Sequence, residues 1–223
     1  QGYTEKDWKS WWQQPHIQSH LENLFAPVGE MARTLDVKVS FHPGQFCVLA
    51  SETPDIVERS IEEFEYHADM ARWMGFGKSF QDGCKINVHI SGRQGPEGIK
   101  KALPRLSQEA RNLITIENDE MGHGLEKSLE LEKDLALVLD IHHHWIRDEE
   151  YIEPTDDRVK RVIDSWRGQR PSMHYSYSRD EHLAVAGLGD KTHTEMHNIK
   201  DLLERGCKKQ KLRAHSDLLP NRK

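Results

Sequence analysis

Imidazoles and carboxylates are the groups in this chain best suited to chemistry, and they recur at the ends of short apolar segments. There are 14 histidines. His42 follows the segment 35–41, and His89 sits near the end of 84–90. The segment 112–117 closes on Glu117, followed by Asn118 and Asp119. Residues 135–141 carry Asp140, and His142, His143 and His144 come next. His174 lies in 171–176, and 211–215 ends in His215, with Asp217 just beyond. Imidazole and carboxylate without thiolate suit Mn²⁺, Zn²⁺ or Fe²⁺. This many donors would hold two or three ions. Closely paired ions clamp the attacking and leaving oxygens of a phosphodiester displacement.

A single histidine is more often a satisfied core or surface group than a ligand, but background histidines have no reason to favour one end of six segments. His16, His20, His67 and His123 fall on helices or loops and are background. In the turn after 135–141 only some of three rings can point inward. Asp140 and His143 are the ligand pair there, with His144 a supporting or substrate contact. His182, His193 and His197 lie on the long connection after the fifth segment; either one of them reaches back as a ligand or all three are solvated.

The six segments read as strands because each is short, aliphatic or β-branched, and bounded by polar, Gly or Pro residues. Helical stretches lie between them. Residues 16–33 carry Leu21, Leu24, Phe25, Val28 and Ala32 at helical spacing. Residues 54–75 open on Pro54, close on Gly75, and place Ile56, Val57, Ile61, Phe64, Ala68 and Ala71 on one face. Residues 97–110, 124–133, 155–166 and 195–205 follow. Alternation of this kind gives right-handed βαβ units and a parallel sheet. His42-Pro43-Gly44-Gln45 stands where a Gly-rich phosphate turn would follow the first strand, which disfavours a dinucleotide fold. The expected fold class is α/β, a TIM (β/α)₈-type barrel. A complete barrel is typically about 250 residues long with eight strands. One domain over residues 1–223 is therefore expected, with six strands visible and the first two upstream of Gln1. In such a barrel the carboxyl ends of the strands converge on one face.

Lys and Arg number 31 and Asp and Glu 37, a net charge of −6, which argues against a protein that coats nucleic acid through bulk basicity. No apolar run reaches the roughly 18–20 residues of a membrane span, so no membrane partner is expected. Cys47, Cys84 and Cys207 are odd in number and far apart, which fits a reducing cytosol and no disulfide framework.

The strings FHPGQF (41–46), VHISG (88–92), IEND (116–119), LDIHHHW (139–145) and SWRGQRPSMHYS (165–176) resemble the UV damage endonucleases, in order and over nearly the whole chain. HPGQ and END alone would be modest signals, since xylose-isomerase-like barrels and apurinic endonucleases share the layout. The five together are specific. The resemblance implies a TIM barrel with a cluster of divalent ions, commonly manganese, with Zn²⁺ as the alternative. It implies hydrolysis of a phosphodiester on the 5′ side of UV photoproducts and related lesions in double-stranded DNA; a monomer is expected. It implies metal ligands at His42, His89, Glu117, Asp140, His143 and His174, with His193 as a further ligand and His197 its competitor. Gln45 and Phe46 match a pair that probes the lesion from within the duplex.

Three departures stand beside this. A ligand histidine on an early strand of the family has no counterpart in the chain. Ser172 replaces a residue that is a modified lysine in some members. The last strand reads LRAHSD, so His215 or Asp217 would stand in for a metal-binding Glu. In the expected mechanism Glu117 bridges two ions, and Glu117, His89 and His143 carry catalysis. Activity would fall as pH drops through the His range, because metal ligation requires neutral imidazoles. Phosphate contacts are expected from Arg93, Arg147 and Arg179, on connections at the active face, whereas Lys208, Lys209, Lys211 and Arg213 read as a solvated basic run. A metal-dependent sugar isomerase or epimerase and an apurinic endonuclease are the rival activities, and an inactive binding module is the non-enzymatic one.

Overall fold

The computed structural model describes residues 10–176. The chain divides into two compact units, 1–173 and 174–223. The elements are α1 (Pro15–Thr34), β1 (Val39–Phe41), α2 (Pro54–Trp73), β2 (Cys84–His89), α3 (Gly95–Ala102), a 3₁₀ turn (Leu103–Arg105), α4 (Gln108–Leu113), β3 (Ile114–Glu117), α5 (Leu125–Leu129), β4 (Ala136–Asp140), α6 (Ile141–Asp148), α7 (Asp157–Ser165) and β5 (Met173–His174). The strands stand side by side in chain order, and β1/β2, β2/β3 and β3/β4 pair in parallel. The result is an α/β half-barrel, which fits an incomplete (β/α)₈ barrel. No helix among the described residues is long and apolar enough to cross a membrane.

Alternation along the strands separates two environments. Ile86, Val88, Ile114, Ile116, Leu137 and Leu139 pack outward into a core completed by Phe64, Ala68, Ala71, Ile99, Leu113 and Val162 of the helices. The intervening residues, among them Lys85, Asn87, His89, Thr115, Glu117, Val138 and Asp140, share the inner face. Register then sets the chemistry, since His89 lies directly across from Glu117.

Several expected elements differ in detail. The stretch 97–110 is two helices, because Pro104 falls in the 3₁₀ turn and the Ser107 hydroxyl accepts from the Ala110 N–H, starting α4 afresh. Asn112 and Leu113 belong to that helix, so β3 starts at Ile114. The residues 142–144 are not in a turn but in α6. Asp140 ends β4 and caps α6, its Oδ1 accepting the His143 N–H at 2.9 Å.

Helix α1 buries a narrower stripe than its spacing suggests. Gly29 and Ala32 are buried and Phe25 packs on the core, while Leu24 and Val28 are 55% and 52% exposed. The seam is narrow because α1 crosses the end of α2 at backbone distance: a Cβ on Gly29 would lie 1.9 Å from the Met74 carbonyl oxygen. On α2 the expected face holds at Ile61, Phe64, Ala68 and Ala71, while Ile56 is exposed. The expected strand 211–215 and helix 195–205 lie outside the described residues.

Candidate metal centre

Parallel pairing brings the carboxyl ends of β1 to β4 together, and with them His42, His89, Glu117, Asp140 and His143. Glu117 is at the middle and only 1% exposed. His42 Nε2 is 3.3 Å and His89 Nε2 3.7 Å from its Oε2. His143 Nδ1 is 3.7 Å from its Oε1, and His143 Nε2 is 3.9 Å from Asp140 Oδ2. The rings of His42 and His89, and of His89 and His143, have centroids 5.1 Å apart.

Each ring is held by an acceptor on its other nitrogen. His42 Nδ1 lies 2.9 Å from the Pro43 carbonyl oxygen, His89 Nδ1 2.9 Å from Asp119 Oδ2, and His143 Nδ1 2.9 Å from the Asn118 carbonyl oxygen. A carbonyl or carboxylate only accepts. His42 has an acceptor at each nitrogen, its Nε2 also lying within hydrogen-bond distance of Glu117 Oε2, whereas in neutral His89 and His143 the proton sits on Nδ1 and the lone pair on Nε2. This is the arrangement that metal-binding histidines adopt. The chain fits a divalent cation by its donor chemistry: donor atoms of His42, His89 and Glu117 lie within 4.8 Å of one another, as do those of Glu117, Asp140 and His143.

His89 and Asp119 shift each other. Burial pushes the Asp119 carboxyl up, but the hydrogen bond from His89 and the backbone N–H groups of Gly122 and Met121 outweigh it and bring it down to about 2. In return the Asp119 hydrogen bond raises His89 against the opposing effect of burial, and Glu117 adds to the rise. Burial raises the thiols of Cys47 and Cys84 to about 12, leaving both protonated and inert.

Two asparagines that the sequence reading left without a role support the site. Asn87 donates through Nδ2 to Glu117 Oε2 and accepts through Oδ1 from the Thr115 hydroxyl at 3.0 Å. With Oδ1 taken by the Thr115 hydroxyl, the N–H side of the amide faces Glu117. Asn118, fully buried, donates to the Asp140 carbonyl oxygen at 2.9 Å and accepts from the Asp140 N–H at 2.8 Å. It thereby ties β4 to β3 where the donor residues emerge. The i, i+2 spacing of Lys85, Asn87 and His89 was the signal that could have found Asn87.

Glu120 was also missed. Its Oε2 lies 3.1 Å from His143 Nε2. It sits in a loop, where no periodicity announces direction.

Other expected residues divide. Phe46 is 79% exposed, and Gln45 beside it is exposed too, so Phe46 is not a core aromatic of the barrel mouth. Gln45 lines a cleft of ≈ 160 Å³ together with His42, His89 and Asp119. Arg93 is solvent-facing, 3.6 Å from Glu52 Oε2. Arg147 is occupied: its guanidinium donates to the Gly122 carbonyl oxygen at 2.9 Å and pins the loop after β3. His144 is a correction, because it turns away from the centre. It is buried, with Nδ1 2.9 Å from Asp148 Oδ2 and Nε2 3.5 Å from Glu150 Oε2. The α6 helix explains this, since successive side chains point about 100° apart. His123 is structural, its Nε2 2.9 Å from the Gly92 carbonyl oxygen. His174 opens the second unit. His193, His197, His215, Asp217 and Arg179 lie outside the described residues.

Comparison with known proteins gives a consistent result. The profile of a family described as UV-endonuclease UvdE matches residues 6–217. A UV-damage endonuclease of Neurospora crassa is 29% identical over 169 residues, covering 69% of this chain and 26% of that protein. A UV DNA damage endonuclease of Bacillus velezensis is 29% identical over 171 residues, covering 70% of this chain and 50% of that protein. The chain thus spans half or less of the length of these relatives. The crystal structure of SacUVDE superposes with a TM-score of 0.65 at 25% identity, over 81% of this chain and 59% of that one.

Proposed function

Since this chain belongs to the UV-endonuclease UvdE family, we propose that its strand-end centre is that of a metal-dependent DNA repair endonuclease. The reaction is hydrolysis of a phosphodiester on the 5′ side of UV photoproducts and related lesions in double-stranded DNA. The observation that carries the reading is the convergence of His42, His89 and His143 on buried Glu117 and Asp140, with the Nδ1–H of His89 and of His143 already engaged by Asp119 and the Asn118 carbonyl. Two or three divalent ions, Mn²⁺ foremost and Zn²⁺ the alternative, would be held by His42, His89, Glu117, Asp140 and His143. When bound, they supply charge for the phosphate oxygens and acidify a water.

The chain's own residues do the rest. Glu117 turns Oε2 toward the Nε2 atoms of His42 and His89 and has donor atoms within reach of Asp140 and His143 as well, so a single carboxylate serves both donor groups. Asp119 and the Asn118 carbonyl hold the rings of His89 and His143 in the ligating tautomer. Asp140 holds α6 by its Oδ1 and turns its Oδ2 toward His143. At the rim, Gln45 and Phe46 are free to enter a gap in the duplex. A lesion weakens stacking, so opening it there costs less than in intact DNA. Arg93, exposed beyond β2, reaches for phosphate.

The test is nicking of UV-irradiated plasmid in the presence of Mn²⁺, with untreated and abasic plasmid as parallel substrates. The folded chain nicks the irradiated plasmid in preference to the untreated one. Glu117→Gln lowers that rate about 100-fold or more, as loss of several kcal/mol of transition-state stabilisation requires. A rate on abasic plasmid equal to or above that on irradiated plasmid would turn the reading toward an apurinic endonuclease. A folded chain that cuts none of the three would refute it.

A further inference from the structure

The contact between Glu120 and His143 is chemically odd. Glu120 Oε2 stands 3.1 Å from His143 Nε2, is shielded from solvent, and takes part in no hydrogen bond. The Asn118 carbonyl accepts from Nδ1, so a neutral His143 ring presents its lone pair, not a proton, to that oxygen. Two lone pairs face each other, an arrangement that is repulsive until a cation joins them. His89 brings another Nε2 lone pair to the same place, its own Nδ1–H being held by Asp119. Donor atoms of His89, Glu120 and His143 lie within 4.8 Å of one another, near the span that one ion with bonds of about 2.0–2.2 Å bridges.

We propose that Glu120 is a metal ligand, which with His89 and His143 forms a divalent-cation position separate from those anchored by Glu117. Two imidazoles and one carboxylate with an open coordination position form a set that Zn²⁺ takes readily and that Mn²⁺ also accepts. Glu117 and Asp140 do not belong to this group. Each imidazole has one lone pair to give, so an ion at Glu120 withdraws His89 and His143 from the Glu117 positions. The positions therefore compete, and the occupancy of the centre depends on Glu120 as well as on Glu117.

The inference rests on the metal-dependent reading above, and direct binding tells the two apart. Mn²⁺ and, separately, Zn²⁺ are titrated calorimetrically into the purified chain, into Glu120→Gln and into Glu117→Gln, with melting by circular dichroism as the check of fold. Glu120→Gln is expected to weaken one class of sites at least tenfold and to leave binding that Glu117→Gln removes. Glu117→Gln is expected to keep the Glu120-dependent class. Should Glu120→Gln melt early, Glu120→Ala is judged by the same two outcomes. Isotherms of the Glu120 variants identical to the parent's would overturn this proposal alone. A parent chain that binds neither ion would overturn it together with the functional reading.

Discussion

On β2 the side chains of Lys85, Asn87 and His89 share the inner face, yet buried Lys85 and half-buried His89 are held on opposite terms. At the amino end, Lys85 Nζ donates to the carbonyl oxygens of Phe80 at 2.6 Å and Asn112 at 3.2 Å. It also sits 4.2 Å from the centroid of the Phe80 ring, on which Arg167 stacks as well. Trp166 donates its indole N–H to the Leu137 carbonyl oxygen and packs on Ala136 and Val138. Donors there meet acceptors and the end is closed. At the carboxyl end the balance is reversed, because oxygens of Glu117, Glu120 and Asp140 crowd the Nε2 atoms of His42, His89 and His143. A folded chain keeps such a surplus of acceptors where a ligand resolves it. The amino end of a barrel serves stability and the carboxyl end chemistry, and one strand here carries both.

The comparison can be broken most directly at Asn87, which sits between the two ends. Asn87→Ala removes the donor that orients Glu117, and affinity for Mn²⁺ is expected to fall about 10–100-fold. Equilibrium dialysis of the apo chain against Mn²⁺ measures this. Unchanged affinity would mean that the carboxylate needs no support from below.

A smaller effect sharpens the contrast at Lys85. Burial brings its amine down from 10.5 to about 8. The unfolded chain therefore binds the extra proton between about 8 and 10.5, and stability from this group rises with pH through that window, by at most about 1.4 kcal/mol per pH unit. Urea unfolding of the parent and of Lys85→Met across pH 7.5–10.5 should diverge in slope by this contribution, while Mn²⁺ affinity stays the same. Parallel slopes would show that the amine is not buried as described.

Phe46→Ala should move stability least, within about 0.5 kcal/mol, since the ring is exposed. The preference for irradiated over untreated plasmid should drop in the same variant. A retained preference would remove Phe46 from lesion recognition.

Much of the fold was legible because its signals are local. Aliphatic runs of strand length, Pro54 at a helix start and Gly75 past its end need no knowledge of neighbours. The same holds for His42, His89, Glu117 and Asp140, since a polar residue at the end of an apolar strand is visible in one dimension. The exposed stripe of α1 was hidden, because Leu24 and Val28 have the right spacing and only the approach of Gly29 to Met74 decides which side is covered. His144 was misplaced for a similar reason: reading 142–144 as a turn concealed the helical rotation that aims His143 inward and His144 toward Asp148 and Glu150.

The amino-acid sequence by itself determined the alternation of strand and helix, the parallel sheet it entails, and the set of residue types delivered to one edge. Periodicity and strand ends are properties of neighbours along the chain. Only the tertiary structure decided that Asn87 and Asn118 brace the carboxylates, that Arg147 is occupied by a loop, and that Glu120 reaches His143. Those relations depend on register and on loop paths between strands, and the distances involved, 2.9 Å for the Asn118 contact to Asp140 and 3.1 Å for Glu120 to His143, arise between residues separated by 22 and 23 positions in the chain.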